Sequence, residues 1–376
     1  MKKLLFIIGT RPEAIKLAPV IISARQKGMH TYIVSTGQHK DLVEPALDAF
    51  GLETNINIEL PTSNLPEGLS LGYLTGQLFC NLQPFFNLHA GSSEGVVVQG
   101  DTTSAFVGAL LGFYFGLKVV HVEAGLRSWE KSQPFPEEVN RKLITQLADY
   151  HFCPSVMARD NLLLEGVNPK EMFLVGNTVV DALEMIVDSN YQADYELSSF
   201  LKTPYAKLVI LTMHRRENWE ILPEIAKGLN ELFSHYDNVK LLVSLHPNPI
   251  LRDTFTDIFG ENKNVLLADA LDYVDFINLL ARCYFVITDS GGVQEEAPYL
   301  GKPVLVVRRQ TERPEGINEG VAKLIGINPA TVVNEVKHLL HNDDAHAKMC
   351  KKTFNAYGDG KASEMIINTL RGDSSY

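Results

Sequence analysis

The sequence predicts an α/β protein made of two doubly wound domains. Short apolar runs rich in β-branched residues alternate with amphipathic helical stretches along all 376 residues. This alternation indicates parallel sheets covered by helices. The runs Val96-Val97-Val98 and Leu208-Val209-Ile210-Leu211 are continuously apolar, as strands buried on both faces are. Because the chain is longer than one hydrophobic core usually serves, we expect two domains.

Each half of the chain supplies its own series of strands and helices. Polar residues 189–194 interrupt the series, and we place the first domain at residues 1–176 and the second at 177–358. The predicted strands are residues 3–8, 31–36, 95–99, 117–122 and 150–153 in the first half, and 207–212, 239–244, 264–267, 284–288 and 303–307 in the second. The predicted helices are 13–27, 102–115, 136–148, 221–234, 291–299 and 331–341.

Composition narrows the class of protein. The formal charge of -11, from 34 basic and 45 acidic residues, argues against a nucleic acid or an anionic membrane as partner. The four cysteines are scattered without a C-x-x-C pair, which is typical of a reduced cytoplasmic protein. The apolar run Leu4–Ile8 is too short for a signal peptide, and no stretch approaches the roughly 20 apolar residues of a membrane span. We therefore expect a cytoplasmic protein.

The run Thr288–Pro298 predicts an anion site. It follows an apolar strand, and Ser290-Gly291-Gly292 would open a helix whose first N–H groups point at a phosphate or diphosphate. Glycines there let the anion approach the backbone. Glu296, one turn into the helix, is placed to accept the hydroxyls of a ribose. The alternative is a helix capped by Ser290, with acidic residues that favour its dipole.

Charged residues follow several predicted strands at their carboxyl ends, where ligands bind in open α/β sheets. The first half offers Arg11, Lys16, Asp101 and Glu123 at these positions. The second half offers His214, Arg215, His246 and Arg313. The loops at the opposite strand ends hold ordinary turn residues. We therefore predict an active site in a cleft between the two domains.

Some of these residues have structural alternatives. Asp101 could be the N-cap of the helix that follows it. Glu137 and Glu138 begin a helix after a proline and could pair with Arg141 at helical spacing. His121 is expected to be a packed or supporting histidine.

No metal or dinucleotide motif is present in the sequence. There is no H-E-x-x-H, no D-x-D and no cysteine cluster, and Gly9-Thr10-Arg11-Pro12-Glu13 stands where a G-x-G-x-x-G fingerprint would be. We expect neither a metal nor a nicotinamide cofactor, so side chains must supply the positive charge.

Motifs in the same order along nearly the whole chain resemble the non-hydrolysing UDP-N-acetylglucosamine 2-epimerases. The matching segments are residues 9–16, 100–103, 121–127, 136–141, 176–181, 288–298, 301–304, 311–315 and 355–360. The resemblance implies a GT-B-like fold of two Rossmann-like domains, with the C-terminal helix 359–376 packing back on the first. It also implies a homodimer and a UDP-sugar substrate.

The implied reaction inverts carbon 2 of UDP-N-acetylglucosamine (UDP-GlcNAc) to give UDP-N-acetylmannosamine (UDP-ManNAc). The route is elimination of UDP to a 2-acetamidoglucal, followed by re-addition, and the product would feed cell-envelope polysaccharide. By motif, the acid–base set is Asp101, Glu123 and Glu137, with His214 near the leaving phosphate. The UDP-binding residues implied are Arg11, Lys16, His214, Phe276, Ser290, Gly291, Gly292, Glu296 and Arg313.

Other activities remain open at this point: a glycosyltransferase of the same fold, a hydrolysing UDP-GlcNAc 2-epimerase that releases free ManNAc, and a non-catalytic sensor. Many relatives have a second, activating UDP-GlcNAc site. Gln38, His39 and Arg215 would form part of such a site here. The segment Ser63–Ser70 departs from the usual glutamine-containing loop, and its Glu67 would repel a diphosphate. We therefore expect weak or absent activation.

Overall fold

The computed structural model describes residues 3–60, 70–193, 195–201, 207–246, 248–269, 271–350 and 356–372. Contacts divide the chain into two compact units, which we call unit 1 and unit 2. Unit 1 contains Met1–Met185 and the C-terminal Tyr357–Tyr376, and unit 2 contains Ile186–Ala356. Among the helices formed by the described residues, none combines the length and the apolar character needed to span a membrane.

Unit 1 is built on a seven-stranded parallel sheet with the order β3-β2-β1-β4-β5-β6-β7. Its central strands are fully buried because helices cover both faces of the sheet. The strands are β1 (Lys3–Ile8), β2 (His30–Ser35), β3 (Ile56–Asn57), β4 (Gly95–Gln99), β5 (Lys118–Val122), β6 (Tyr150–Cys153) and β7 (Met172–Leu174). The helices are α1 (Arg11–Gln26), α2 (Lys40–Asp48), α3 (Ser70–His89), α4 (Thr103–Tyr114), α5 (Glu137–Leu147), α6 (Val156–Leu164) and α7 (Thr178–Ile186).

Unit 2 repeats the pattern with a six-stranded parallel sheet of order β10-β9-β8-β11-β12-β13. Its strands are β8 (Lys207–Thr212), β9 (Val239–Ser244), β10 (Val265–Ala268), β11 (Phe285–Thr288), β12 (Val304–Val306) and β13 (Ala322–Leu324). Its helices are α8 (Tyr195–Phe200), α9 (Leu222–Ser234), α10 (Pro249–Phe259), α11 (Tyr273–Leu280), α12 (Gly291–Tyr299), α13 (Pro314–Asn318), α14 (Pro329–His341) and α15 (Asp343–Met349).

The predicted α/β class is confirmed, and the predicted strands all form within a residue or two of their expected bounds. Sequence analysis missed β3, β7 and β13, which are two or three residues long. All three lie at sheet edges. A strand this short carries no periodic pattern, so only its neighbours in space reveal it.

The C-terminal helix α16 (Ala362–Arg371) belongs to unit 1. The buried carboxyl of Asp181 on α7 accepts a 2.8 Å hydrogen bond from the Ser363 N–H at the start of α16. Lys27 forms an ion pair with Glu364 at 3.1 Å. Because α7 is held to α16 in this way, contacts divide the chain between Met185 and Ile186 rather than at residue 176.

Gly125, in the turn after β5, combines a left-handed backbone conformation with close packing, and the two contributions to stability can be separated by mutation. Gly125 has a φ of +94°, and a Cβ there would lie 2.1 Å from the Ala158 carbonyl oxygen. Gly28 has a similar φ of +75° with no heavy atom within 4 Å of a Cβ. We expect Gly28→Ala to cost about 1 kcal/mol for the left-handed backbone alone. Gly125→Ala should cost about 3 kcal/mol or more because the clash adds to it. Urea unfolding measures both, and equal losses would contradict the packing described.

Candidate functional site

The turn between β1 and α1 packs directly on the start of α4. A Cβ on Gly9 would lie 2.1 Å from Ser104 Oγ, so only glycine permits this approach. Glu13, at the third position of α1, is fully buried. Its Oε2 accepts from the Gly9 N–H at 2.9 Å and its Oε1 from the Thr102 hydroxyl at 2.7 Å. Burial raises the pKa of Glu13 to about 7, against the lowering effect of these hydrogen bonds.

Glu123 directly follows β5 and lies buried beside Lys16 of α1. The Lys16 ammonium donates to both carboxylate oxygens, at 2.9 Å and 2.7 Å. Gln99, at the end of the neighbouring strand β4, donates to the same carboxylate. Glu123 also has a φ of 66°, in the left-handed region that non-glycine residues rarely adopt. The structure therefore brings Lys16, predicted to bind UDP, onto one of the predicted acid–base residues.

Asp101 follows β4 and pairs with Arg141 of α5. Asn140 also donates to the Asp101 carbonyl oxygen at 3.0 Å. The alternative role of Asp101 as a helix cap is wrong, because Thr102 caps α4 and accepts from the Ala105 N–H at 3.0 Å. The Asp101 side chain is 24% exposed, so its carboxyl is held by a cation yet reaches solvent.

The start of α5 separates the two glutamates that follow Pro136. Glu138 is fully buried, pairs with Arg141 at 3.3 Å and accepts from the N–H groups of Ser128 and Trp129. The expected pairing with Arg141 is thus made by Glu138. Glu137, the predicted acid–base residue, is half-buried at the first position of the helix. Glu138 therefore fixes the β5–α5 loop, whereas Glu137 is only half-buried.

Two further residues support this edge of unit 1. His121 is buried in β5 and lies 2.7 Å from the Gly100 carbonyl oxygen through Nε2. Burial lowers the pKa of His121 to about 3, so the ring is neutral and supports the turn, as predicted. Arg127 is buried and donates to Glu165 at 2.8 Å and 2.6 Å. It links the β5–α5 loop to the end of α6.

The residues predicted for an activating site are divided between the two units. Gln38 Oε1 accepts from the Ser104 hydroxyl at 2.7 Å and from its N–H at 3.2 Å, so this amide is part of the start of α4. His39 is exposed, and its N–H donates to the Gly9 carbonyl oxygen at 2.9 Å. In the segment Ser63–Ser70, residues 63–69 lie outside the described residues. Weak activation stays a prediction.

In unit 2, the start of α12 has the form predicted for an anion site. Ser290 occupies the N-cap position, and within the described residues its side chain makes no capping hydrogen bond. Ser290 therefore holds the cap position without the side-chain hydrogen bond that the alternative expects. A Cβ on Gly291 would lie 2.6 Å from Arg313 Nη1. Glycine thus leaves room for a guanidinium beside the first N–H groups of the helix.

A carboxylate network holds that guanidinium. Arg313 donates to Glu295 at 2.6 Å through Nε and to Glu312 at 2.5 Å through Nη1. Glu312 also accepts a hydrogen bond from Arg308 Nη1 at 2.7 Å, and its Oε1 lies 3.7 Å from Arg215 Nη2. Burial alone would raise the pKa of Glu312, but these three arginines hold it well below its usual range. One ionised glutamate therefore gathers three cations.

Asp289 is a fully buried carboxylate that sequence analysis did not single out. It accepts from the N–H groups of His214 and Arg215, both at 3.0 Å, and from Asn218 Nδ2 at 2.9 Å. These bonds fix the β8–α9 loop to the residue just before Ser290. The available signal was an aspartate directly after an apolar strand, the same signal that marked Asp101.

His214 lies between a carboxylate and a second histidine. Its Nδ1 is 3.8 Å from Asp289 Oδ1, and its ring stacks on His246 with centroids 5.5 Å apart. Burial lowers the pKa of His214, while Asp289 opposes the shift and His246 and Arg215 add to it. The neutral ring is therefore favoured, with one nitrogen as a hydrogen-bond donor.

The residues predicted for the nucleoside lie on α11 and α12. Glu296 is buried, and the Tyr273 hydroxyl donates to it at 3.2 Å. A Cβ on Gly292 would lie 4.0 Å from Glu296 Oε2, so the carboxyl stands over the first turn of its own helix. Phe276 on α11 is buried with only 9% exposure.

The two units thus offer different chemistry. Unit 1 holds Asp101 and Glu123 in position against Arg141 and Lys16, and a carboxylate fixed in position can act as an acid–base group. Unit 2 places Arg313 beside the first N–H groups of α12, which the Ser290 side chain does not cap, and this suits a bound phosphate.

Known proteins match the chain over nearly its full length. The profile of a family described as UDP-N-acetylglucosamine 2-epimerase matches residues 22–371. A UDP-N-acetylglucosamine 2-epimerase of Bacillus subtilis (strain 168) is 38% identical over 374 residues, which cover 98% of this chain and 96% of that protein.

Solved structures match as well. A complex of S. aureus MnaA with UDP has a TM-score of 0.90 at 38% identity, covering 99% of this chain and 96% of that one. A Neisseria meningitidis UDP-GlcNAc 2-epimerase bound to UDP-GlcNAc has a TM-score of 0.89 at 33% identity, covering 98% of this chain and 100% of that one. The predicted resemblance and the two-domain α/β class are confirmed.

The buried Glu13 carboxyl predicts a pH dependence of stability. Its pKa is raised from 4.5 to about 7 on folding, so the folded chain holds the proton more tightly than the unfolded chain. The resulting stabilisation is complete below pH 4.5 and is lost as the pH rises through about 7. Glu13→Gln has no proton to lose. The stability of the wild type relative to this variant should therefore fall across that range in urea unfolding. A difference that does not change with pH would contradict the burial described.

Proposed function

The chain belongs to the UDP-N-acetylglucosamine 2-epimerase family, and on that premise we propose that it interconverts UDP-GlcNAc and UDP-ManNAc without releasing the free sugar. The product would supply ManNAc-type sugar for cell-envelope polysaccharide. The observation that carries the proposal is the pairing of both strand-end carboxylates of unit 1 with cations, Glu123 with Lys16 and Asp101 with Arg141.

The hydrogen on carbon 2 of the resting sugar is not acidic. It becomes removable as the bond from carbon 1 to the UDP oxygen breaks and positive charge builds on carbon 1. A carboxylate takes the proton, and the C–H electron pair forms the double bond of a 2-acetamidoglucal as UDP leaves. Re-addition returns UDP to carbon 1 and delivers a proton to the opposite face of carbon 2. The reaction thus needs acid–base groups for both faces, for which Asp101, Glu123 and Glu137 are the candidates.

The leaving diphosphate gains negative charge as it departs. Arg313 and the N–H groups at the start of α12 would stabilise that charge, because donors fixed in advance need not reorganise during the step. A neutral His214 can donate one hydrogen bond to the leaving phosphate. Glu296 would accept the ribose hydroxyls, and Phe276 would pack against uracil. Arg11, half-buried at the first position of α1, stays a predicted UDP-binding residue.

Incubation with UDP-GlcNAc alone in deuterated water, followed by proton NMR, tests the proposal. We expect UDP-ManNAc, with deuterium at carbon 2 because the removed proton exchanges with solvent. EDTA and added NAD should leave the rate unchanged. Asp101→Asn, Glu123→Gln and Glu137→Gln should each lower kcat on the order of 10²-fold. Glu130→Gln, an exposed carboxylate of the β5–α5 loop, is the matched control.

The alternative activities give different NMR spectra in the same experiment. Free ManNAc would identify a hydrolysing enzyme, and an unchanged sugar would leave a glycosyltransferase or a sensor. Retention of the original hydrogen at carbon 2 would indicate oxidation and reduction at a neighbouring carbon. A near-normal rate in Glu137→Gln would return that residue to a role at the start of α5.

The nucleotide assignment predicts losses in binding. Arg313→Ala, His214→Ala and Glu296→Ala should each weaken the affinity for UDP, on the order of 10-fold, because charged hydrogen bonds to phosphate and ribose form in the ground state. Part of the loss should appear in KM. Arg309→Ala, an exposed arginine of the same segment, should bind UDP like the wild type. Calorimetry measures all four, and unchanged affinity in the first three would refute the assignment.

A further inference from the structure

Glu13 has no role in the proposed chemistry, yet its carboxyl joins two turns of unit 1. Its two oxygens accept from the Gly9 N–H at 2.9 Å and from the Thr102 hydroxyl at 2.7 Å. Gly9 begins the β1–α1 turn and Thr102 lies in the β4–α4 turn. With no solvent exposure, Glu13 cannot touch a substrate.

A helix cap accounts for only part of this arrangement, since the Glu13 carboxyl also hydrogen-bonds the backbone of Thr10, the N-cap residue of its own helix. A glutamate at the third position of a helix often reaches back to the N–H groups at the helix start. Such a residue lies at the surface, as Glu224 does at the third position of α9, where a proline also precedes it. Glu13 is instead buried, which raises its pKa and opposes ionisation. The fold thus keeps a carboxyl where its burial is unfavourable.

The bond to Thr102 reaches a predicted catalytic residue. The Thr102 hydroxyl accepts from the Ala105 N–H, which fixes the start of α4, and Thr102 directly follows Asp101. On the other side, Asn140 holds the Asp101 carbonyl oxygen at 3.0 Å. The Asp101 backbone is therefore held from α5 by Asn140 and from α1 by Glu13 through Thr102.

The first turns of α1 also carry Arg11 and Lys16, two of the charged residues at the carboxyl ends of the strands in unit 1. Arg11 precedes Glu13 by two residues, and Lys16, three residues later, forms the 2.7 Å ion pair with Glu123. A single helix start therefore contacts the elements that bear Asp101 and Glu123. A shift of α1 would move Lys16 from Glu123 and, through Glu13, the turn that holds Asp101.

We propose that Glu13 is a positioning residue for the epimerisation, whose carboxyl fixes the β4–α4 turn to α1 so that the Asp101 carboxyl keeps its place relative to Glu123. This inference rests on the proposed function. It concerns placement in the proton-transfer steps, so its loss should appear in kcat rather than in substrate binding.

Steady-state kinetics with UDP-GlcNAc test the proposal on the intact protein. We expect Glu13→Gln and Thr102→Val each to lower kcat by about 10-fold, since each removes or reverses one buried hydrogen bond. KM should change by less than about twofold because the nucleotide-binding groups of unit 2, Arg313 and the start of α12, are untouched. Thr102→Ser keeps the hydroxyl and should restore the wild-type kcat. The double variant should be no slower than either single variant, because both remove the same link.

The matched control is Glu224→Gln, which changes a glutamate at the same helix position at the surface and should leave kcat unchanged. If Glu13→Gln has the kcat of the wild type, the positioning role of Glu13 is overturned. The proposed function still stands in that case, provided that the wild type makes UDP-ManNAc. Additive losses in the double variant, or a rise in KM alone, would also overturn the positioning role. If Glu13→Gln does not fold, Thr102→Val against Thr102→Ser decides. If the wild type makes no UDP-ManNAc, both the proposed function and the positioning role of Glu13 are contradicted.

Discussion

A carboxylate buried at the carboxyl end of a parallel strand must find donors or a cation close by, and the structure around both predicted sites follows from this constraint. Removing one partner of such a pair typically costs roughly 3–5 kcal/mol. The buried Glu123 therefore pairs with Lys16 of α1, and the partly exposed Asp101 pairs with Arg141 of α5, which is itself buried. In unit 2, Asp289 is satisfied by N–H groups of the β8–α9 loop. The acidic residues at the strand ends thus bind groups of the flanking helices and loops.

The kind of partner separates the two units. Cationic side chains in unit 1 are occupied by carboxylates, which leaves acid groups fixed in position for proton transfer. In unit 2, Glu312 holds three arginines, of which Arg313 lies at the start of α12 and also pairs with Glu295. Carboxylates fixed in position suit proton transfer, and an arginine fixed beside helical N–H groups suits the binding of a diphosphate.

Much of the fold could be predicted because buried parallel strands are continuously apolar; β1 and β4 form at their expected residues. The edge strands could not, since two or three residues carry no period. Reading the residue after each strand found Asp101 and Glu123. It did not find that Lys16 pairs with Glu123, or that Thr102 rather than Asp101 caps α4, because such partners depend on tertiary distances.

A crystal structure of this chain with UDP tests the central claim, that the start of α12 and Arg313 form the diphosphate site. Phosphate oxygens should lie about 3 Å from the Gly291 and Gly292 nitrogens and from the Arg313 guanidinium, with the ribose hydroxyls on Glu296. A diphosphate bound away from α12, with Arg313 still paired with Glu295 and Glu312, would contradict it.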